Sequence, residues 1–137
     1  MRVKDRGIWQ RFTWNDYFQN VKYFSLGLLS LGMKRGDKIS ILGENKPEIF
    51  WAELGVQAVG GTMVGIFTDC TPPEVKFYVT DSDSTFVVAP DQEQVDKLLQ
   101  IKEDLPLVKK VIYWDPKGLW NYDDSILISF TEMIQLG

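Results

Sequence analysis

The sequence predicts an α/β fold: a three-layer, open, mostly parallel sheet with helices on both faces, preceded by an N-terminal hairpin. Two observations support this fold class. Between residues 38 and 114, short apolar runs typical of buried strands alternate with helical segments, and this alternation indicates a parallel sheet. Residues 1–12 instead show the alternation and the turn residues of a hairpin. Right-handed crossovers between successive strands then fix most of the topology.

The first predicted elements are a hairpin over residues 1–12 and a helix over residues 13–32. Asp5-Arg6-Gly7 supplies the hairpin turn. Thr13 is the expected N-cap of the helix, with Asp16 as its capping-box partner, and Gly32 is expected to end the helix in a left-handed conformation. The apolar residues of this helix recur at helical spacing: Trp14, Tyr17, Phe18, Val21, Phe24, Leu28 and Leu31.

The alternating core occupies residues 38–114 and begins with a short buried strand at residues 39–43. A helix follows from about Pro47, which suits the first helical position, to Val59. This helix is apolar around most of its circumference, and we expect Phe50 and Leu54 to face the core. Its solvent side is marked by only three side chains: Glu48, Glu53 and Gln57.

The remaining core elements follow the same pattern. Gly60 and Gly61 end the second helix, and a strand over residues 62–67 leads to a helix over residues 72–80. A strand at residues 84–90 precedes an amphipathic helix with Asp91 as its cap, and residues 108–114 form a fourth buried strand. The inward-facing residues of the amphipathic helix are Val95, Leu98 and Leu99. Residues 115–137 read as a loop followed by a short strand and a short helix.

The composition of the chain excludes several classes of function. The 137 residues suit one domain, and a net charge of −4 without long basic runs argues against nucleic-acid binding. One cysteine and no histidine exclude an intrachain disulfide, Cys/His zinc sites and histidine-based triads. The N-terminus is too charged for a signal peptide, and the most apolar stretch, residues 55–67, is too short to span a bilayer. We therefore expect a cytoplasmic domain without a transmembrane segment.

Three loops follow the carboxyl ends of predicted strands, where open parallel sheets bind their ligands. In residues 43–46, Glu44 or Lys46 could contact a ligand, but the loop lacks a phosphate-binding motif and reads better as a tight strand-to-helix turn. In residues 68–71, Asp69 could bind magnesium or act as a base, although capping the following helix is the simpler role. Residues 89–92 read as a helix start.

Other polar or glycine-rich segments suggest structural roles. Residues 55–61 (GVQAVGG) lack the spacing of a dinucleotide fingerprint and indicate close helix packing. Residues 81–84 and 115–124 lack the ligand spacing of a calcium loop. Cys70 has no histidine to activate it and reads as a small buried or loop residue. The residues alone therefore predict no catalytic, cofactor-binding or metal-binding residue.

Read in order, several segments resemble the beginning of the adenylate-forming (AMP-binding) synthetases. Residues 36–48 (GDKISILGENKPE) match that family's strand and helix start, followed by AELG at 52–55 and AVGG at 58–61. TPPEVKF at 71–77 matches the next helix. Residues 111–118 (VIYWDPKG) and the tail ending in ISFTEMIQLG look like the long-chain fatty-acid–CoA ligase branch. The resemblance covers nearly the whole chain.

The departure from the family is that its working motifs are absent. No Ser/Thr/Gly-rich phosphate loop and no aromatic-Gly-x-Thr-Glu segment occurs. The resemblance therefore implies an N-terminal scaffold portion of a longer ligase, called here the parent enzyme, and no activity for this piece alone. It also implies that the parent enzyme uses ATP, Mg²⁺ and coenzyme A. The implied reaction forms an acyl-adenylate from a fatty acid and then converts it to acyl-CoA. The expected partner is the remainder of the parent chain, and uncovered sheet surface favours self-association.

Two alternatives remain open from the residues. One is a self-contained flavodoxin-like domain that binds a nucleotide or flavin at the switch point of its sheet. The other is a structural module that binds a partner. A retained flavin would favour the first, and a large exposed apolar patch would favour the parent-enzyme interpretation over both.

Overall fold

A computed structural model describes residues 1–137, which form an antiparallel hairpin followed by a five-stranded sheet flanked by helices. The strands are β1 (Arg2–Asp5), β2 (Ile8–Arg11), β3 (Lys38–Leu42), β4 (Thr62–Ile66), β5 (Ser84–Ala89), β6 (Lys110–Tyr113) and β7 (Leu127–Ser129). The helices are α1 (Trp14–Ser30), α2 (Pro47–Ala58), α3 (Pro72–Asp81), α4 (Gln92–Ile101) and α5 (Phe130–Leu136), with a 3-10 turn at Lys102–Asp104.

The five-stranded sheet confirms the predicted fold class. Its strand order is β4-β3-β5-β6-β7, and every neighbouring pair is parallel. From β3 the chain continues to β4, which lies on one side of β3 at the edge of the sheet. It then crosses over to form β5 on the other side of β3. The direction of winding therefore reverses between β3 and β5, which makes this the topological switch point of the sheet.

One face of the sheet packs against α1, α2 and α5. Every second strand residue points to this face, as the two-residue period of a strand requires. The Phe24 ring of α1 stacks on the Phe130 ring of α5 at a centroid distance of 5.0 Å. The buried strand residues of this layer are Ile39, Ile41, Phe86, Val88 and Ile112.

The opposite face packs against α3 and α4. Its buried strand residues alternate with those of the first layer: Leu42, Ile66, Val87, Ala89 and Val111. They contact the apolar stripes of the two helices, which include Val75 and Val79 in α3 and Val95 and Leu98 in α4. Because both faces are covered, the strands between them are mainly apolar, as expected for a parallel sheet. The buried Ser40 and Ser84 hydroxyls are hydrogen-bonded to each other at 2.7 Å.

Three of the helices begin with the same side-chain arrangement. A Ser or Thr precedes the helix, and the carboxylate three residues later accepts hydrogen bonds from the backbone N–H and hydroxyl of that residue, at 2.7–2.8 Å. This reciprocal capping box satisfies N–H groups that a helix start leaves without partners. The three pairs are Thr13–Asp16, Thr71–Glu74 and Ser129–Glu132. The prediction for α1 is confirmed.

The hairpin turn contains two residues with positive φ, Arg6 at 46° and Gly7 at 83°. A two-residue turn of this kind matches the twist of the strands that it joins. Beyond the hairpin, Phe12 contacts Trp51 of α2 edge to face at 5.2 Å. The hairpin is therefore anchored to the body of the protein at its base, while Ile8 and Trp9 at the other end are exposed.

The predicted orientation of α2 is wrong in part. Phe50 and Leu54, expected in the core, are 36% and 41% exposed, whereas Glu53 is half-buried. The buried side of α2 is formed by Ile49, Trp51, Ala52, Gly55 and Val56. The physical reason is that α2 packs on α1 through Gly55, which turns the side carrying Phe50 and Leu54 outward.

The apolar stripe predicted for α1 also needs correction. Phe24 and Leu28 are buried, but Trp14 is 86% exposed and Phe18 is 60% exposed. In the first two turns of α1 only Tyr17 packs against the core, and the fully buried Phe24 and Leu28 lie in the later turns. Gly32 ends this segment with φ +83°, as predicted.

Candidate functional site

A cavity with a volume of about 800 Å³ lies at the carboxyl ends of the strands. Loops that follow β3, β4, β5 and β6 form its walls, and the inner face of the hairpin closes one side. Its main lining residues are Val3, Gln10, Phe12, Glu44, Lys46, Thr68, Asp69, Pro90, Asp91, Gln94, Trp114 and Asp115. The structure therefore brings together the three loops singled out from the sequence and adds the hairpin and the β6 loop.

The cavity is strongly acidic. Its carboxylates are Asp5, Glu44, Glu48, Asp69, Asp91, Glu93 and Asp115, against two lysines, Lys4 and Lys46. Negative potential in a cleft repels phosphate groups. No glycine-rich loop offers backbone N–H groups to a phosphate here, so this cavity does not fit a nucleotide phosphate chain.

Residues 43–46 form a tight turn between β3 and α2. The Lys46 backbone N–H donates to the Glu44 carbonyl at 2.7 Å, and Lys46 precedes Pro47 at the start of α2. Glu44 and Lys46 are exposed and both line the cavity. The turn therefore serves the strand-to-helix connection and also presents a carboxylate and an ammonium group to the cavity.

Asp69 does not cap α3, in contrast to the prediction. Thr71 is the N-cap residue, and the Glu74 carboxylate completes the capping box. Pro72 and Pro73 fix the first turn, so the cap must lie directly before them, which leaves Asp69 two residues too early. Asp69 instead lines the cavity.

The loop carrying Asp69 is held by two side chains of α4. Gln94 Nε2 and Lys97 Nζ donate hydrogen bonds to the Thr68 carbonyl at 3.1 and 2.7 Å. Gln94 is only 2% exposed, and Lys97 is also paired with Glu93 at 3.3 Å. The sequence analysis missed Gln94, although a polar residue beside Val95 at an inward helical position was a signal for it.

Asp91 caps α4 as predicted. Its Oδ1 accepts a hydrogen bond from the Gln94 backbone N–H at 3.2 Å. The Pro90 carbonyl accepts from the Asp115 backbone N–H at 3.0 Å, which ties the loop after β5 to the loop after β6. These contacts hold the cavity wall in place.

Hydrogen bonds also fix residues 115–124 on α4 and on the 3-10 turn that follows it. The Tyr122 hydroxyl donates to Asp96 at 2.6 Å and accepts from Gln92 at 3.0 Å, and the bond to Asp96 raises the pKa of Tyr122. Lys102 Nζ lies 2.5 Å from Asp124 Oδ2; this hydrogen bond raises the pKa of Lys102 and lowers that of Asp124. Both arrangements position a loop, in agreement with the structural role predicted for this segment.

No three His, Cys, Asp or Glu side chains are grouped so that they could hold a metal ion. The acidic residues of the cavity are thus spread along its walls. Cys70 is half-buried and packs against the second core layer. No helix is long and apolar enough to cross a membrane.

Comparison with protein families gives a match over residues 2–127, to the family described as AMP-binding enzyme. A long-chain-fatty-acid–CoA ligase of Rattus norvegicus is 31% identical over 98% of this chain and 18% of its own length. A 4-hydroxybutyrate–CoA ligase of Metallosphaera sedula is 33% identical over 69% of this chain and 17% of its own length. The chain spans about a fifth of the length of these relatives.

Solved structures share the fold. An anthranilate CoA ligase in complex with anthranoyl-AMP matches 92% of this chain and 23% of its own, with a TM-score of 0.81 and 20% identity. Acetoacetyl-CoA synthetase from Streptomyces lividans matches 96% of this chain and 21% of its own, with a TM-score of 0.84 and 19% identity. At these identities the likeness shows the fold alone.

Proposed function

This chain belongs to the AMP-binding enzyme family, and from that premise we propose that it is the N-terminal scaffold portion of an ATP-dependent, AMP-forming long-chain fatty-acid–CoA ligase. The observation that carries the proposal is the family match over residues 2–127, together with long-chain ligase relatives at 31% identity. In this proposal, residues 1–137 form one α/β domain that is part of a larger N-terminal domain.

The acidic cavity supports a scaffold role. Acyl-adenylate formation develops negative charge on phosphates, which cationic or N–H groups must stabilise. Seven carboxylates and only two lysines line the cavity. ATP, Mg²⁺ and coenzyme A would therefore be bound by other segments of the parent enzyme, and no residue of this chain is assigned a step. The chain alone is proposed to be inactive.

The partner of this scaffold would be the remainder of the parent chain. Fatty acid, ATP and coenzyme A would reach it only through the parent. The proposed location is the cytoplasm or the periphery of a membrane that faces it. The exposed apolar side chains on α1 and α2, which include Phe18 and Leu54, are surface that a neighbouring segment of the parent could cover.

The acyl specificity can be tested with the whole protein that contains this chain. Because the relatives include both long-chain and 4-hydroxybutyrate ligases, palmitate and 4-hydroxybutyrate are the two substrates to compare. The proposal expects acyl-CoA formation with palmitate to have the higher kcat/KM by at least about tenfold, a transition-state difference of roughly 1.4 kcal/mol. A preference for 4-hydroxybutyrate would contradict the long-chain assignment and retain the ligase class.

A second candidate is a flavodoxin-like binding domain, and the strand order favours it. The order of the sheet places its switch point between β3 and β5, next to the cavity, which is where flavodoxin-like proteins bind FMN. The acidic lining disfavours the FMN phosphate, and a shared fold does not imply a shared function. Saturable quenching of FMN fluorescence by the 137-residue chain would support this candidate over the ligase scaffold.

A further inference from the structure

The N-terminal hairpin concentrates positive charge in an otherwise acidic chain. Residues 1–12 contain four of the 15 basic residues and one of the 19 acidic residues. Their formal side-chain charge is therefore +3, whereas the remaining residues carry −7. Such segregation of charge creates a local positive potential that the net charge of the chain conceals.

The hairpin register places most of these cations on one face. Arg2 pairs with Arg11 and Lys4 pairs with Trp9, and residues paired across strands share a face. We call this set of four residues the basic face. The alternate residues lie on the other side, where Val3 and Gln10 line the cavity. Lys4 lies at the edge of the basic face, with its Nζ 5.9 Å from the Trp9 ring, and also reaches the cavity rim.

The hairpin cations form no salt bridge within the protein. The three salt bridges of the structure involve Lys76, Lys97 and Lys102 only. The four cations of the hairpin are all exposed: Arg2, Lys4, Arg6 and Arg11. They are therefore free to meet an external anionic surface without breaking an existing ion pair.

Large apolar side chains are exposed on and near the hairpin. Trp9, on the basic face, is 60% exposed, and Trp14 follows the hairpin at the start of α1 with 86% exposure. Ile8, next to the turn, is 65% exposed and pairs with Asp5 on the side opposite the basic face. A nucleic-acid backbone offers no contact for an aliphatic side chain such as Ile8. Indole rings and basic side chains together are instead typical of surfaces that lie at a membrane interface.

We propose that the basic face, together with Trp14 and with Ile8 at the tip of the hairpin, binds an anionic lipid surface. The cations contact the negatively charged headgroups, and the apolar side chains enter the layer between headgroups and acyl chains. Complementary charge is the reason for this choice of partner, and the exposed indoles and isoleucine distinguish it from other polyanions. The hairpin geometry supports this binding whether or not the ligase proposal holds.

Vesicle flotation of the 137-residue chain tests the proposal. We expect binding to vesicles of phosphatidylcholine and phosphatidylserine at about three to one, reduced by added salt because salt screens exposed charges. Each basic residue lost should weaken partitioning roughly fivefold. The double variant Arg2→Gln/Arg11→Gln should therefore bind more than about tenfold more weakly. Trp9→Ala should also weaken binding, because it removes the indole at the interface.

The matched control is Lys22→Gln/Lys34→Gln, which has the same net charge as Arg2→Gln/Arg11→Gln. It changes exposed cations outside the hairpin. It should bind like the unmodified chain, and urea melts should show that both double variants fold. Equal binding to pure phosphatidylcholine, equal loss in the control, or no binding to any vesicle would overturn the proposal. Binding to heparin without binding to vesicles would also overturn it, since the partner would then be another polyanion. Salt-sensitive dimerisation that is lost in Arg2→Gln/Arg11→Gln and occurs without vesicle binding would indicate a second copy as the partner.

Discussion

At the scale of single residues, Gly55 fixes the contact between α1 and α2. A Cβ at this position would lie 2.7 Å from Cδ1 of Phe24, closer than carbon atoms approach. The Gly55 carbonyl also accepts a hydrogen bond from the Ser25 hydroxyl at 3.1 Å. The absence of a side chain thus allows the two helices to pack closely, as the glycine-rich segment predicted.

Gly55→Ala should destabilise the protein, although alanine is intrinsically the better helix former. The clash with the buried Phe24 ring should cost about 1–3 kcal/mol, as overpacked cores do, and outweigh a propensity gain of about 1 kcal/mol. Gln57→Ala, on the exposed side of the same helix, should change stability by less than about 0.5 kcal/mol. Urea melts measure both, and a stabilised Gly55→Ala would show that the helices are not in close contact.

The same Leu→Ala substitution can be compared at two positions that differ in burial. Leu28 in α1 is fully buried, whereas Leu54 in α2 is 41% exposed. Leu28→Ala should cost about 2–5 kcal/mol because it leaves a cavity in the core, and Leu54→Ala should cost less than about 1 kcal/mol. Comparable losses in urea melts would mean that Leu54 faces the core after all.

At the scale of elements, the capping boxes make helix starts sensitive to acid. Hydrogen bonds from Ser129 hold the pKa of Glu132 below its usual range, as Thr71 does for Glu74; backbone N–H donation from Thr13 does the same for Asp16. A carboxylate whose pKa is lower in the folded state stabilises that state above its unfolded pKa, near pH 4. This stabilisation is lost as pH falls through the folded pKa.

Ser129→Ala should therefore destabilise the protein by about 1 kcal/mol near neutral pH. The difference from the unmodified chain should shrink as pH is lowered below about 4, where Glu132 becomes protonated and its carboxylate no longer strengthens the hydrogen bond from the Ser129 hydroxyl. Urea melts at several pH values check this. Ser125→Ala, at an exposed serine in the preceding loop, should show no such pH dependence, and a constant difference for Ser129→Ala would contradict the role of Glu132.

Elements were predicted well where the signal is local. The alternation of strands and helices, the caps at Thr13 and Asp91, and the helix end at Gly32 all depend on neighbouring residues. The orientation of α2 depends on which side meets α1, and a helix that is apolar almost all round carries little information about that choice. The cap of α3 was misassigned because Asp69 and Thr71 are both good cap residues, and only the proline positions decide between them.

The candidate site was predicted in outline. The loops after β3, β4 and β5 were expected at one edge because carboxyl ends of parallel strands meet there. That the hairpin closes this edge could not be read from the sequence, because its anchoring contact, Phe12 against Trp51, joins residues far apart in the chain. The buried Gln94 that holds the β4 loop depends on a long-range contact in the same way.

At the scale of the whole molecule, β4 is an edge strand that pairs only with β3. Free N–H and C=O groups of an edge can pair with another copy, so we expect self-association at about 50 micromolar. Gly65→Lys should reduce it, because lysine on an edge opposes strand pairing and Gly65 has room for a side chain. Sedimentation velocity measures the effect.

The control for this experiment is Gln100→Lys, which adds the same charge on the exposed side of α4. It should leave self-association unchanged. A monomeric unmodified chain, or equal loss of association in both variants, would contradict pairing through β4 and would indicate that the domain is self-sufficient or associates through general charge effects.

The central claim is that these 137 residues are the scaffold of a ligase whose phosphate-binding groups lie elsewhere in the parent enzyme. The most direct measurement is palmitate-dependent ATP–pyrophosphate exchange, performed on the chain alone and on the whole protein that contains it. We predict exchange by the whole protein and, for the chain alone, a rate equal to that of a no-protein control. Exchange catalysed by the chain alone, or none by the whole protein, would contradict the claim.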